Sequence, residues 1–285
     1  MKIGISGAGG QLGRGTTDLL LDRVAPDDLV LVTHDPSQLG DYAAKGADVR
    51  EGSIDDANGL RAAYRGVDRL LLISGPVFGN RVKLHSDAIA AAKDAGVAHI
   101  AYTSIVNPTE ANSAGAAPEH RGTEEALLAS GLEWTMLRNG IYGDLTAHGL
   151  VQSVATGSHV FNSGDGKTSY VTRADCAAAA AAVLSGDGHE GKAYDITGPA
   201  ALSGADVAAI ASELSGKEVE AVSVDDATLV GILVEHAGLP EPVAEFIASF
   251  GRAAREGQLA TVSDDLEQLT GSPARPFREL VEPLL

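Results

Sequence analysis

Short apolar runs of strand length alternate with helical stretches along the first half of the chain. Ile3 and Ile5 open a short buried strand that runs into a glycine turn, after which Leu12, Leu19, Leu20 and Val24 fall on one helical face. Leu29 to Thr33 is continuously apolar, as expected of a parallel strand covered on both sides. The pattern then predicts a helix near Ser37 to Lys45, a strand over Asp48 to Glu51 and a helix after Ser53-Ile54-Asp55-Asp56. A strand over Val67 to Ile73 and a helix over Asn80 to Ala95 follow. Ala98 to Thr103 and Glu133 to Leu137 read as strands on either side of a helix over Pro118 to Ala129, and the second of them completes the sheet. Such alternation specifies an α/β fold, a Rossmann-type doubly wound parallel sheet with right-handed crossovers.

Beyond Arg138 the regularity lapses. Residues 1–140 are expected to form the dinucleotide-binding domain, and residues 141–285 a smaller C-terminal α+β lobe for the substrate, with partly interleaved chain. That lobe is predicted to hold a hairpin-like turn over Phe161 to Lys167, a helix over Arg173 to Leu184 and a strand over Lys192 to Ile196. A helix over Ser203 to Leu214, a strand over Glu218 to Ser223 and three or so C-terminal helices complete it. The polar segment Asn107 to Ala117 is long enough to be a lid over a cleft.

Charge narrows the possible partners. A formal net charge of -18 opposes binding to nucleic acid or to an anionic membrane, while 44% hydrophobic residues supply a core. No signal peptide or membrane-spanning stretch is evident, and the single Cys176 excludes a disulfide framework, so the expected location is the cytoplasm. Cys176 precedes an alanine run and reads as a small buried residue rather than a nucleophile. The histidines are scattered, without H-E-x-x-H or cysteine pairs, so no metal site is expected. The chain is expected to be a monomer or a homodimer.

The chemistry begins at the N-terminus. Gly7, Gly10 and Gly13 have G-x-x-G-x-x-G spacing between a strand and a helix, which lets backbone approach a pyrophosphate at the helix start. About 20 residues on, at the end of the second strand, His34 and Asp35 are placed to read the adenosine ribose. Asp35 would accept from a 2'-hydroxyl and repel a 2'-phosphate, or else it caps the following turn. Ser74-Gly75-Pro76 and Ser104 lie at the carboxyl ends of later strands, where such sheets hold their ligand. Reduction of a ketone usually needs a proton donor such as a tyrosine with a lysine four residues on. Here Tyr42, Tyr64, Tyr102, Tyr142, Tyr170 and Tyr194 are followed at that distance by Gly46, Asp68, Val106, Thr146, Ala174 and Gly198. An acceptor whose reduced form is a stabilised anion, a quinone above all, does without that pair.

Ser6-Gly7-Ala8-Gly9-Gly10-Gln11-Leu12-Gly13, Leu72-Ile73-Ser74-Gly75-Pro76, Ile100-Ala101-Tyr102-Thr103-Ser104, Leu137-Arg138-Asn139-Gly140-Ile141-Tyr142 and Thr172-Arg173-Ala174-Asp175 together resemble the NmrA-like atypical short-chain dehydrogenases. Type 2 NAD(P)H:quinone oxidoreductases and triphenylmethane reductase are the nearest in pattern. The resemblance puts Gly7, Gly10, Gln11, Leu12 and Gly13 on the pyrophosphate. It puts Ser74, Gly75, Pro76 and Thr103 along the nicotinamide half, and Asn139 and Tyr142 where cofactor meets acceptor. NADP-preferring members carry an arginine where this chain has His34, so NAD(H) is favoured over NADP(H). On the helix after the lid, His120 either touches the acceptor and donates a proton or is an exposed helical histidine. Tyr142 either stacks on a flat acceptor or packs the lobe. Arg138 is expected to pair with a carboxylate near the sheet end.

The expected activity is NAD(P)H-dependent hydride transfer to a quinone-like or polycyclic aromatic acceptor. Two alternatives stand beside it: tailoring of an aromatic polyketide, reductive or oxygen-dependent, and a non-catalytic dinucleotide sensor acting through a protein partner.

Overall fold

The computed structural model describes residues 1–75 and 79–285. In chain order the elements are β1 (Ile3–Ser6), α1 (Gln11–Leu21), β2 (Leu29–Thr33), α2 (Gly40–Ala44), β3 (Asp48–Glu51), α3 (Ala57–Ala63), β4 (Arg69–Leu72), α4 (Arg81–Ala95), β5 (His99–Ile105), α5 (Ala117–Ala129) and β6 (Glu133–Asn139). Then come β7 (Ile141–Tyr142), α6 (Gly143–Thr156), β8 (Ser158–Phe161), β9 (Lys167–Val171), α7 (Arg173–Ser185), β10 (Lys192–Ile196), β11 (Ala201–Ser203), α8 (Gly204–Ser215) and β12 (Glu220–Ser223). Helices α9 (Asp226–Glu235), α10 (Glu241–Arg255), α11 (Asp265–Thr270) and α12 (Phe277–Val281) end the chain.

Among the described residues, seven parallel strands form the main sheet in the order β10-β6-β5-β4-β1-β2-β3. The order reverses direction at β1 and β4, and a ligand crevice opens beyond the carboxyl ends of strands at such a switch point. Both faces are covered, so β1, β2 and β5 are buried along their whole length. One face packs on α1 and α7, the other on α3, α4 and α5. The alanine run of α7 has a packing reason: a methyl added at Gly15 of α1 would stand only 3.3 Å from Ala177 Cβ, so small residues let the two helices lie close.

Four expectations change. Lys192–Ile196 does not belong to the smaller lobe; it pairs in parallel with Thr135–Asn139 and forms the edge of the main sheet, so β6 does not complete it. The turn over Phe161 to Lys167 is no hairpin, because β8 pairs with β12 while β9 pairs with β11 and β7. Its backbone is drawn onto α10 instead: Asn162 Nδ2 donates to Ala248 O at 2.8 Å, and a methyl at Gly166 would collide with Ala254 backbone at 2.4 Å. Nor is the segment after β5 a free lid. Asn112 is buried and bonds Asn107 O, and the Gly115 N–H donates to Ser249 Oγ of α10 at 2.8 Å, so the loop is clamped into a wall. The helix expected over Ser37 to Lys45 splits, with Asp35 capping a 3-10 turn over Pro36–Leu39 before α2 begins.

Candidate functional site

Gly7 turns the chain at the end of β1 with φ +88°, a left-handed conformation that favours glycine. The close approach that follows requires a second glycine. A methyl at Gly13 would sit 2.5 Å from Gly7 O and 2.7 Å from Ala8 Cα, so the loop can fold back on α1 only without a side chain there. No side chain caps α1 at Gly10, and its first turn has no acidic residue. The N–H groups of Gln11, Leu12 and Gly13 at the positive end of the helix are therefore left for an anion.

The rim beyond β2 differs from expectation. His34 is exposed, and the Asp35 carboxylate is turned into its own loop. It accepts from Ser37 N at 3.1 Å, Ser37 Oγ at 2.6 Å and Gln38 Nε2 at 3.1 Å, which holds it below the usual aspartate range. The capping alternative is the one the geometry realises.

At the other side of the switch point, Ser74 N–H donates to Thr103 Oγ1 at 2.8 Å and the two hydroxyls lie 3.2 Å apart. Thr103 is fully buried, so it fixes the loop after β4 from below while Ser74 faces outward. Gly75 follows, its carbonyl accepting from Arg81 Nη2 at 3.1 Å. Pro76 lies outside the described residues.

Beside these strand ends opens a cavity of about 450 Å³, with Ser74, Ser104, His120, Asn139 and Tyr142 on its polar side. Phe161, Tyr170, Phe246 and Phe250 give it aromatic walls. Phe246 and Phe250 of α10 meet edge to face at 5.2 Å. Sequence reading missed this wall, because aromatics four residues apart on an apolar helix face look like ordinary core. Leu145 of α6 closes the rim, two-thirds exposed.

Ser104 Oγ and Asn139 Oδ1 are buried without a hydrogen-bond partner among the described residues. A buried polar atom left unpaired costs about 1–3 kcal/mol, and both residues line the cavity, where a bound ligand would complete them. Asn139 Nδ2 donates to Tyr142 Oη at 3.1 Å, which leaves the phenol proton free to donate elsewhere. Burial pushes the Tyr142 pKa above its ordinary range, and the Arg173 guanidinium lies 4.9 Å from the ring centre. The residue is thus a neutral, oriented donor at neutral pH.

His120 is a correction. Far from being an exposed helical residue, it is buried between α4, α5 and β5. Its Nε2 lies 3.2 Å from Arg81 Nη1 and its Nδ1 2.8 Å from Tyr102 Oη. Arginine only donates, so Nε2 accepts and Nδ1 carries the hydrogen toward Tyr102. Burial, then the Arg81 charge and His85, hold its pKa well below the ordinary histidine value. A neutral imidazole with both nitrogens engaged is a poor acid, and His120 lines the cavity wall. Arg138 does pair as expected, with Glu124 at 3.0 and 2.7 Å, and Cys176 is buried with its thiol pKa raised by burial. Among the described residues no cluster of metal-ligating side chains occurs, and no helix is long and apolar enough to cross a membrane.

A glycine cradle at the switch point with an aromatic cavity at the adjoining strand ends defines a dinucleotide-binding α/β protein with room for a second, flat ligand. Comparison with known proteins makes the assignment specific: the chain belongs to the NAD(P)H-binding family, which it matches over residues 7–187. It is 37% identical to quinone oxidoreductase 2 of Escherichia coli over 99% of this chain and 98% of that protein. The crystal structure of the NADPH-dependent quinone oxidoreductase from E. coli, complexed with NADPH, superposes with a TM-score of 0.95 at 37% identity over 99% of both chains. Triphenylmethane reductase from Citrobacter superposes with a TM-score of 0.93 at 36% identity, again over 99% of both.

Proposed function

We propose that this chain is an NAD(P)H-dependent oxidoreductase that passes hydride to a quinone-type aromatic acceptor held in the 450 Å³ cavity. The observation that carries the reading is the meeting of three things at the ends of β4, β5 and β6: an aromatic-walled cavity, the unpartnered Ser104 and Asn139 atoms, and the free Tyr142 proton. Bound NAD(P)H supplies the hydride. Gly7, Gly10, Gln11, Leu12 and Gly13 hold its pyrophosphate through backbone N–H groups. Ser74, seated on Thr103, and Gly75 border the nicotinamide, with Ser104 and Asn139 orienting it or the acceptor through their unfilled atoms.

The acceptor is enclosed by the aromatic walls of Phe246, Phe250 and Tyr170, and its carbonyl oxygen accepts from Tyr142. As hydride arrives, charge builds on that oxygen. The buried phenol stabilises it by a hydrogen bond without having to ionise, and water completes protonation once the product leaves. Most of the acceleration then comes from position and exclusion of water. This explains how the chain manages without a tyrosine-lysine pair. The wider groove between α9 and α10, about 740 Å³, is lined by the carboxylates of Asp226, Glu235, Glu241 and Glu245 against the cation Arg252, a balance that opposes a dinucleotide phosphate. The cavity favours catalysis over dinucleotide sensing, which needs no second ligand site.

Mixing the purified protein with NADPH or NADH and a series of naphthoquinones and anthraquinones tests the proposal. Cofactor oxidation well above the uncatalysed rate is expected; background rates with every acceptor, from protein that binds the cofactor, would sink it.

A further inference from the structure

The position expected to read the adenosine ribose carries no fixed cation, since His34 is exposed and Asp35 is spent on its turn. A cation reaches the same rim from another element. Arg14, one residue past the last glycine of the cradle, extends from α1 so that its Nε donates to Gly9 O at 3.2 Å and its Nη2 donates to Gln38 O. It thereby bridges the glycine loop and the turn after β2. Its guanidinium lies 5.8 Å from the centre of the Tyr42 ring, which limits its swing. The nearest carboxylate is Asp41, at 4.0 Å and 60% exposed, so no tight ion pair neutralises it.

The floor of this rim is Gly9. A methyl there would stand 2.9 Å from Thr33 Oγ1 and 3.0 Å from Gln38 Oε1, so the end of β2 presses directly on the loop. In folds of this class the ribose of the adenosine lies between those two elements. Two of the five N–H donors of Arg14 are committed to carbonyls. The others remain, on a side chain about one-third exposed.

We infer that Arg14 is the 2'-phosphate ligand of this chain, and that it gives the site a preference for NADPH over NADH despite the histidine at position 34. The inference rests on NAD(P)H occupying the cradle, not on the identity of the acceptor. A planar guanidinium already anchored by two carbonyls is preorganised for a phosphate dianion. Asp35 and Asp41 are the opposing charges. The first is turned into its own loop, where it accepts from Ser37 and Gln38, and the second is solvated at the surface. On this assignment NADPH, rather than the NAD(H) expected from His34 and Asp35, is the favoured cofactor.

Nicotinamide fluorescence gives the dissociation constants of NADPH and NADH without any acceptor, and displacement by 2',5'-ADP against ADP isolates the phosphate. The wild-type protein is expected to bind NADPH and 2',5'-ADP more tightly than their counterparts, with a steeper loss in rising salt. Arg14→Gln should weaken NADPH about 10- to 100-fold more than NADH, the loss of a charge-assisted contact, and Arg14→Lys should recover part of the difference. Two results would overturn the assignment: a wild type that binds NADH as tightly as NADPH, or an Arg14→Gln ratio unchanged because both cofactors weaken together, as a mere brace requires. Failure of quinone reduction alone would leave these constants untouched and would count only against the proposed reaction.

Discussion

Between Gly7 and Gly13 seven consecutive residues make the glycine cradle, whereas the aromatic cavity draws Ser104 from β5, Tyr142 from β7, Leu145 from α6 and Phe246 and Phe250 from α10. Both lie at the carboxyl edge of one sheet. The cradle is backbone held by the absence of side chains; the cavity is side chains held by distant backbone. A local device of this kind is fixed by steric exclusion and is intolerant of added atoms. An assembled one is fixed by packing, and a single change there alters chemistry before it alters the fold. The two regions should therefore fail differently.

The largest effect is expected in the cradle. Gly13→Val drives carbon into Gly7 O and the Ala8 backbone, which stand only 2.5 and 2.7 Å from a methyl at that position. Overpacking of this order corresponds to about a 100-fold loss of cofactor affinity together with a lower melting temperature. Gly10→Ala separates the two causes, because its methyl would meet only Gly7 O, at an ordinary 3.5 Å. Fluorescence titration and thermal melts of both variants check this. A Gly13→Val protein that bound NADPH normally would remove the cradle's steric logic.

In the cavity the expected effect is smaller and of another kind. Tyr142→Phe removes the proton aimed at the acceptor and leaves Asn139 Nδ2 without its partner. It should lower kcat about 10- to 100-fold with quinones while NADPH affinity holds. Steady-state kinetics beside direct cofactor titration distinguish the cases. Were kcat unchanged, Tyr142 would be a packing residue and the proton would come from elsewhere.

The same contrast explains what could be read from the chain. Glycines at fixed spacing between a strand and an amphipathic helix act within one turn, so their consequence is visible in order. Asn139 and Tyr142 were legible only through likeness to relatives, since nothing in L-R-N-G-I-Y says that Phe246, more than a hundred residues later, faces them. His120 shows the limit of local pattern. Its helix position alone cannot reveal that Arg81 and Tyr102 occupy both ring nitrogens. Lys192–Ile196 reads as a strand, but five residues with Lys192 and Asp195 among them carry no address, and only pairing beside β6 places it in the main sheet. Arg14 stood in plain view after the third glycine and gave no signal, because its reach to Gln38 depends on how the turn after β2 folds.

The smallest effect concerns pH. His85 and His120 are both buried behind the cavity, facing Arg81, Tyr102, Thr123 and the carboxylates Glu119 and Glu124. Burial, and then the Arg81 charge, lower His85 from 6.5 to about 4, and they hold His120 well below its ordinary value. A histidine whose pKa is lower folded than unfolded takes up its proton more readily in the unfolded chain. Stability is therefore full above about 6.5 and declines as pH falls through the window toward 4. His85 alone accounts for about 2 kcal/mol by pH 5 on that shift. His99 and His159, also lowered by burial, add in the same direction. Above pH 6.5 neither histidine changes charge, so kcat should show no histidine inflection between pH 6.5 and 8, whereas the melting temperature should fall by several degrees from pH 7 to pH 5. His85→Gln, which cannot take up the proton, should flatten that fall. An unaltered slope in the variant would remove His85 from the pH dependence of stability, and a kcat inflection near 7 that vanishes in His120→Gln would return His120 to the proton chemistry from which its neighbours exclude it.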